Sequence, residues 1–256
     1  MPNMRSCIRR FFSKPFGRNS QNPSTPFYRK YPYLGGVGLK SVDSRGVVDF
    51  DFGFFFNRVP KSGNTTLMTN LAKLKNGGEV PAAADLRSLF PLTPAQLSAE
   101  QVERFEHLFK FTFVRNPYSR VLSAYLDKIV KDDEPGRRRK MRKALSGEAP
   151  SFEDFVRWLA KGGLYEDVHW APQSSILVIP VERFDFVGKL ERLEDDFQRV
   201  MENLPASCRG GGGAVQTFAP HSTGAGDKES AYYTKELREI IARLYREDFE
   251  LFGYEY

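Results

Sequence analysis

A short loop over residues 60–66, PKSGNTT, has the composition and position of an anion-binding site. It follows an apolar run over residues 51–59 and precedes apolar residues of helical spacing that begin at Leu67. This pattern predicts a strand, a tight turn and a helix N-terminus, where free backbone N–H groups and the helix dipole attract an anion. Lys61 adds a positive charge, and two threonines add hydroxyl donors. We therefore expect a phosphorylated or sulfated ligand at this loop.

The order of residues in the loop differs from that of a nucleoside-triphosphate loop. A triphosphate loop has the form G-x-x-x-x-G-K-[ST], with a long glycine-rich arch and the lysine last. Here Lys61 precedes Gly63, which is the only glycine of the loop, and no acidic pair nearby is suited to magnesium. A single 5′-phosphate or phosphosulfate fits this shorter loop better than a triphosphate does.

A second segment, FKFTFVRNPYSRVLSAY at residues 109–125, repeats the strand–helix arrangement with different side chains. Residues 109–114 have the pattern of a buried strand, and Pro117 suits the first position of a helix. Arg115 is then expected at the carboxyl end of a strand, with Ser123 on the helix that follows. In this arrangement a guanidinium and a hydroxyl can converge on one phosphate.

The two segments together resemble the paired cofactor motifs of the membrane-associated carbohydrate sulfotransferases and their bacterial relatives. These enzymes use 3′-phosphoadenosine 5′-phosphosulfate (PAPS). The resemblance continues through HWAPQ at residues 169–173, FVGKLE at 186–191 and YREDFELFGY at 245–254, so it covers residues 50–256. The ordered combination of the two motifs is more specific than either motif alone.

The resemblance implies a donor site and a reaction. In the family the first motif holds the 5′-phosphosulfate, and the second holds the 3′-phosphate through an arginine and a serine eight residues later. The residues that match these positions are Lys61, Ser62, Gly63, Asn64, Thr65, Thr66, Arg115 and Ser123. We predict a sulfotransferase that moves the sulfuryl group from PAPS to an acceptor hydroxyl, on a carbohydrate or on a glycoconjugate such as a glycolipid. No metal is expected.

Sulfuryl transfer requires two kinds of catalytic group. Positive charge must stabilise the bridging oxygen as it gains negative charge, and a base must accept the proton of the acceptor hydroxyl. Lys61 is predicted for the first role. His169 is predicted as the base, because imidazole titrates near neutrality and this histidine lies in the family-like stretch. Glu166, Asp167 and His221 are alternatives for the base.

The wider pattern predicts an α/β fold: a mostly parallel central sheet flanked by helices, the P-loop-like sulfotransferase fold. Strand-like runs alternate with helical patterns and cover residues 51–59, 109–114, 176–181 and 184–188. In such sheets ligands bind at the carboxyl ends of the strands, where both motifs fall.

Several helix starts can also be predicted from local signals. Thr234 suits the N-cap of an apolar stripe over residues 237–245, and Ser151 with Asp154 approximates a capping box. A further helical stripe covers residues 193–204. We assign these helices to the scaffold.

We predict two parts of the chain. Residues 1–45 are rich in Pro, Gly, Ser, Asn and Arg, and we interpret them as a partly irregular N-terminal extension. Residues 46–256 form the predicted sulfotransferase domain. Within it, the glycine-rich residues 205–230 are interpreted as a connector.

The sequence has no pattern that predicts export or a membrane anchor, and we therefore expect a cytoplasmic location. RRFFSK at residues 9–14 resembles a twin-arginine export signal, but no apolar region follows it. No apolar stretch of about 18 residues occurs in the sequence, so no transmembrane anchor is predicted. Cys7 and Cys208 do not make a disulfide framework. We expect a soluble, cytoplasmic enzyme of bacterial type, with peripheral contact to a membrane surface left open.

Charge leaves two other classes of function to consider. The net charge of +6 suits anionic ligands, and residues 137–143 form the densest basic run, which could hold an acidic glycan or only face solvent. A P-loop-like kinase or nucleotide hydrolase would need magnesium and a triphosphate. A nonenzymatic binder of acidic glycan or nucleic acid would lose affinity steeply with salt. Neither class explains two ordered anion motifs, and no nucleic-acid partner is predicted.

Overall fold

The structure is a computed structural model that describes residues 24–79, 88–131, 150–205 and 225–256, with only the backbone described for residues 225–227. The basic run 137–143, His221 and both cysteines lie outside these ranges. Residues 1–23, the first half of the predicted extension, also lie outside them.

The centre of the fold is a four-stranded sheet with strand order β1-β2-β3-β4. Its strands are Gly46–Asp49 (β1), Phe54–Asn57 (β2), Phe109–Val114 (β3) and Phe186–Lys189 (β4). Strands β2, β3 and β4 are parallel, with Phe54 opposite Phe109 and Phe111 opposite Phe186. Strand β1 pairs antiparallel to β2 at the edge. The predicted mostly parallel sheet is confirmed.

One predicted strand begins too early. The run 51–59 contains a turn, and β2 starts only at Phe54. The turn is closed by the side chain of Asp49, which accepts the N–H groups of Asp51 at 3.0 Å and Phe52 at 2.9 Å. Asp49 is the last residue of the edge strand β1. The sequence pattern did not predict this strand.

Another predicted strand, residues 176–181, is wrong. Ser174–Ile176 and Val181–Arg183 are single 3₁₀ turns, and the apolar residues between them lie in irregular backbone. The backbone of this segment bonds to a side chain instead of a neighbouring strand. The Asn57 side chain donates to the Ile176 carbonyl (3.3 Å) and accepts from the Val178 N–H (2.9 Å). The apolar run reflects burial in the core rather than a place in the sheet.

Helices flank the sheet on both faces, as predicted. They are Pro26–Lys30 (α1), Leu39–Asp43 (α2), Asn64–Lys75 (α3), Ala99–Phe105 (α4), Pro117–Tyr125 (α5), Phe152–Ala160 (α6), Leu193–Asn203 (α7), Ala225–Tyr232 (α8), Lys235–Leu244 (α9) and Arg246–Phe252 (α10). The N-cap at Thr234 and the capping box at Ser151 are confirmed. Helix α5 continues into a π-helical turn, Leu126–Val130.

Alternation along β2 divides the core between the two faces of the sheet. Phe54 and Phe56 pack with α3 and α7, whereas Phe55 packs on the opposite face with α1 and α4. A third apolar cluster joins α5, α6 and α9. These clusters fix the helices that follow β2 and β3, with α3 held against the sheet and α5 against α6 and α9.

Part of the predicted N-terminal extension is packed onto the domain. Phe27 is fully buried, and its ring centroid lies 5.1 Å from that of Phe105 in α4. The Tyr28 hydroxyl donates to Asp43, which also accepts from Thr93 and from the backbone N–H of Ala95. Helices α1 and α2 thus share the core of the sheet, while the predicted domain boundary at residue 45 stays a prediction.

None of the helices within the described ranges has the length and apolar composition needed to cross a bilayer.

Candidate active site

The loop between β2 and α3 makes a sharp, left-handed turn. Lys61 has φ = 69° and Gly63 has φ = 80°, and a positive φ is unusual for a lysine. A side chain at Gly63 would also be crowded, because a Cβ there would lie 3.0 Å from Cδ1 of Leu190. The chain turns directly into α3, whose first residues receive no hydrogen bond from a capping side chain. The N–H groups of Asn64, Thr65 and Thr66 are therefore placed as an anion site.

The side chain of Lys61 is largely buried beside this turn, with 14% of it exposed. Its Nζ lies 3.2 Å from Oδ2 of Asp127, and the same carboxylate oxygen lies 3.3 Å from Nζ of Lys128. Burial lowers the pKa of Lys61, the charge of Asp127 opposes that shift, and Lys128 and Arg115 add to it. The amine is thus held in a partly desolvated position among other cations.

Asp127 is a site residue that the sequence did not predict. It lies in the π-helical turn after α5, and π turns occur often at functional sites. Asp127 follows the SAY stretch of residues 123–125 in the sequence. Its contact with Lys61 could not be predicted, because it depends on the π-helical turn. The pKa of Asp127 is lowered, although burial opposes the effect of the two lysines.

Gln173 joins the two predicted anion motifs. Its Oε1 accepts the backbone N–H of Arg115 at 2.9 Å and the hydroxyl of Ser62 at 3.3 Å. Its Nε2 donates to the carbonyl of Arg115 at 2.8 Å. Ser62 and Gln173 are fully buried. The Ser62 hydroxyl consequently holds the loop against the end of β3.

Asp248 supports Gln173 from α10. Its two carboxylate oxygens accept the backbone N–H groups of Gln173 at 2.7 Å and Ser174 at 2.9 Å. Burial raises the pKa of this carboxyl, while the two N–H donors and Arg120 oppose the shift. The last part of the chain thereby fixes the segment that connects the motifs.

Arg120 is a further member of the site that the sequence did not predict, and it is completely buried. Its guanidinium donates to three backbone carbonyls: Pro60 at 3.0 Å, Ala171 at 2.7 Å and Val168 at 3.1 Å. One side chain therefore ties the anion loop to the segment that contains His169. Charged donors of this kind make strong, directional hydrogen bonds.

Arg115 lies at the carboxyl end of β3, as predicted. Its Nη1 donates to the Lys61 carbonyl at 3.4 Å, so the structure brings the arginine of the second motif to the loop of the first. Burial lowers the pKa of Arg115, and the charges of Glu191 and Glu229 oppose that shift. Ser123 lies two turns farther on and is buried in α5.

His169 and Asp167 form a hydrogen-bonded pair. Nδ1 of His169 lies 2.6 Å from Oδ1 of Asp167, which also accepts the backbone N–H of His169 at 2.9 Å. A carboxylate at Nδ1 favours the tautomer with its proton there, which leaves Nε2 as the basic nitrogen. Burial lowers the pKa of His169, Asp167 opposes the shift, and Arg45 and Lys128 add to it.

Lys128 acts electrostatically on both predicted catalytic side chains. Its charge contributes to the lowered pKa of Lys61 and to that of His169. Within this group Lys128 directly contacts Asp127, the carboxylate that also binds Lys61. Glu166 lies beside the pair and lines the same cavity as His169.

The residues present fit a nucleotide with two separate anionic groups. Lys61 and the free N-terminus of α3 suit one group, and Arg115 supplies a second cation at the end of the neighbouring strand. Oδ1 of Asn64 is buried without a hydrogen-bond partner among the described residues, so the loop also has an acceptor for a ligand donor. Among the same residues, no group of three or more His, Cys, Asp or Glu side chains is arranged to hold a metal ion.

Comparison with known proteins gives a consistent result. The model of the protein family described as "Sulfotransferase family" matches residues 45–255. Carbohydrate sulfotransferase 14 of Danio rerio is 32% identical over 190 residues, which are 67% of this chain and 49% of that protein. Its Mus musculus counterpart is 30% identical over 240 residues, or 85% of this chain and 62% of the relative.

A third relative, carbohydrate sulfotransferase 10 of Homo sapiens, is 27% identical over 232 residues, covering 78% of this chain and 64% of that protein. The chain thus spans about half to two thirds of the length of these relatives. No solved structure matches the chain at a significant level.

Proposed function

Because the chain belongs to the sulfotransferase family, we propose that it transfers the sulfuryl group of PAPS to a hydroxyl of a carbohydrate acceptor. The observation that carries this proposal is the junction of two anion motifs at one end of the sheet. Gln173 and Arg120 hold that junction together, and Lys61 lies at it.

The same junction of the two motifs is the basis for assigning the residues that contact the donor. When bound, PAPS supplies the sulfuryl group, and its 5′-phosphate is the leaving group. Lys61 and the first N–H groups of α3 hold the oxygens that gain negative charge as the bond to sulfur breaks. Arg115 and Ser123 bind the 3′-phosphate, which distinguishes this nucleotide from AMP and ATP.

The acceptor hydroxyl needs a base, and His169 is the proposed one. Nε2 accepts the hydroxyl proton, and Asp167 stabilises the imidazolium that results. Asp167 therefore acts through the histidine in this proposal, and Glu166 is the alternative base in the described part of the chain.

The carbohydrate class of the acceptor is supported by the relatives, which are named carbohydrate sulfotransferases. The two anion motifs do not select an acceptor, because they bind the donor. A glycolipid is included in this class, and a cytoplasmic location remains a proposal based on the sequence alone.

Calorimetric titration with 3′-phosphoadenosine 5′-phosphate tests the donor site. We expect binding that requires the 3′-phosphate and that weakens at least about tenfold in Lys61→Ala and in Arg115→Ala, because each variant removes a charged hydrogen bond to phosphate. Exposed residues of the same type, Lys235→Ala and Arg243→Ala on α9, are the matched controls.

Comparison ligands make this test decisive. 5′-AMP should bind weakly, and ATP with magnesium should have no advantage over it. A preference for magnesium ATP would overturn the proposal in favour of a kinase or nucleotide hydrolase. If the 3′-phosphate compound binds, transfer of radiolabelled sulfate from PAPS to oligosaccharides tests the reaction itself.

A further inference from the structure

We infer that the cavity between α2 and residues 166–169 binds the sugar unit that accepts the sulfuryl group, an inference that rests on the proposed function. The cavity has a volume of about 350 Å³. Val37, Gly38, Ser41, Ser44 and Arg45 line one wall, and Glu166 to His169 line the other.

The chemistry of the walls suits a polyhydroxylated ligand. Ser41 and Ser44 present hydroxyls, Glu166 and Asp167 present carboxylates, and Arg45 presents a guanidinium. These groups can donate to and accept from sugar hydroxyls, and the apolar lining is confined to two valines. The volume is at the lower end of the roughly 300–1,000 Å³ typical of small-molecule sites, which fits a single sugar unit.

The location of the cavity matches the needs of the transfer. His169, the proposed base, is part of its wall, with Nδ1 occupied by Asp167 and Nε2 left as the basic nitrogen. Arg120 connects this wall to the anion loop, because it donates to Val168 and to Pro60. In this inference the accepting hydroxyl lies at Nε2 of His169, in a wall that the Arg120 side chain links to the anion loop.

The wall formed by α2 is firmly positioned. The hydroxyl of Tyr33 donates to the Ser175 carbonyl at 2.6 Å and accepts the backbone N–H of Val37 at 3.3 Å. Asp43, at the end of α2, is held by Tyr28 and Thr93. The cavity is thus a formed feature of the fold, as ligand sites usually are.

Most of this wall precedes the part of the chain that matches the family model. The match begins at residue 45, whereas Val37, Gly38, Ser41 and Ser44 come before it. The donor motifs lie entirely within the matched residues. Residues 37–44 therefore contribute to acceptor selection from outside the matched part, together with Arg45 and residues 166–169 inside it.

Gly38 offers a direct test. A Cβ at this position would meet no atom within 4 Å, and φ is −57°, so a larger residue can replace the glycine without strain. Gly38→Phe would place a ring in the cavity, and Gly38→Ala at the same position is the matched control. Ser41→Gln, on the exposed surface of α2, is a second variant that fills the cavity from a different point.

The acceptors are oligosaccharides prepared from chitin, hyaluronan and desulfated chondroitin, and KM is measured with the one that is sulfated fastest. We expect Gly38→Phe to raise the acceptor KM by at least about tenfold and Ser41→Gln to raise it less, because steric loss in a pocket is a loss of binding. The Kd for 3′-phosphoadenosine 5′-phosphate should stay unchanged in all variants.

An unchanged acceptor KM in both Gly38→Phe and Ser41→Gln, with normal folding by circular dichroism, would overturn the inference and leave the proposed function intact. The proposed function fails separately if the native chain binds the nucleotide but sulfates no oligosaccharide. In that case direct titration with the same oligosaccharides, in the native chain and in Gly38→Phe, still decides whether the cavity binds sugar.

Discussion

At the scale of single residues, the site contains buried titratable groups whose pKa values are shifted. Lys61, Arg115 and His169 all have a lowered pKa, and burial is the largest cause for each. Their nearest carboxylates, including Asp127 and Asp167, oppose these shifts. Lys61 and Arg115, two cations in a partly desolvated place, suit an anionic donor, while the lowered pKa of His169 favours its neutral form.

The lowered pKa of His169 predicts the pH dependence of the reaction. As a base, His169 must be deprotonated, so the rate should fall only when the pH falls through a pKa below the ordinary value of about 6.5. His169→Ala should remove this acidic limb and reduce kcat/KM by about 10²–10⁴-fold. The measurement is kcat/KM against pH, because this ratio reports the pKa values of the free enzyme.

His107 provides the control for this prediction, because it is exposed and precedes β3 at the opposite end of the strand. His107→Ala should keep both the rate and the pH profile. If His169→Ala retains the acidic limb and most of its activity, the base is another group, and Glu166 becomes the first candidate.

At the scale of secondary-structure elements, the turn after α5 brings a carboxylate into the donor site. The α-helix ends at Tyr125, and the π-helical turn that follows places Asp127 against Lys61. An anionic donor must compete with this carboxylate for the lysine. The π-helical turn is therefore expected to weaken donor binding, because it places Asp127 beside Lys61.

Removal of that charge should strengthen binding of the anionic nucleotide. We expect Asp127→Asn to tighten binding of 3′-phosphoadenosine 5′-phosphate by up to about fivefold, since a partly exposed ion pair contributes about 0–1 kcal/mol. Titration calorimetry at low salt measures the effect, which should shrink as salt is added.

Asp195→Asn, an exposed substitution of the same type on α7, is the control and should leave the Kd unchanged. Weaker binding in Asp127→Asn would contradict the competition and would instead give Asp127 a role in orienting Lys61.

At the scale of the whole molecule, residues 24–44 pack onto the core that flanks the sheet. Phe27 packs against Tyr28, Tyr31 and Phe105, with ring centroids 4.9–5.1 Å apart. This packing supports α2, and α2 forms one wall of the cavity beside His169. The core and the proposed acceptor site therefore share one set of contacts.

Loss of this packing should destabilise the protein as a whole. Phe27→Ala is expected to lower the free energy of unfolding by about 3–5 kcal/mol, because the ring is fully buried. Urea denaturation followed by circular dichroism measures the change. Leu34→Ala, at a side chain that is 76% exposed, should change stability by no more than about 0.5 kcal/mol. Equal stabilities for the two variants would show that α1 is not part of the cooperative unit.

The sequence was sufficient for features that arise between near neighbours. The anion loop, the start of α3 after Gly63, the capping box at Ser151 and the N-cap at Thr234 each depend on a few consecutive residues. Turn and cap preferences follow from local backbone geometry, so they can be read from the chain. The mostly parallel character of the sheet was also predictable, since strand and helix patterns alternate along the chain.

The tertiary structure alone decided which distant residues complete the site. Gln173 joins Arg115 across 58 residues and Ser62 across 111, and Arg120 reaches Pro60 across 60. Local patterns carry no information about such pairs, because packing of the whole core sets the partners of a buried polar group. For the same reason residues 176–181 were predicted as a strand: their burial is visible in the sequence, whereas their partner, the side chain of Asn57, appears only when the chain is folded.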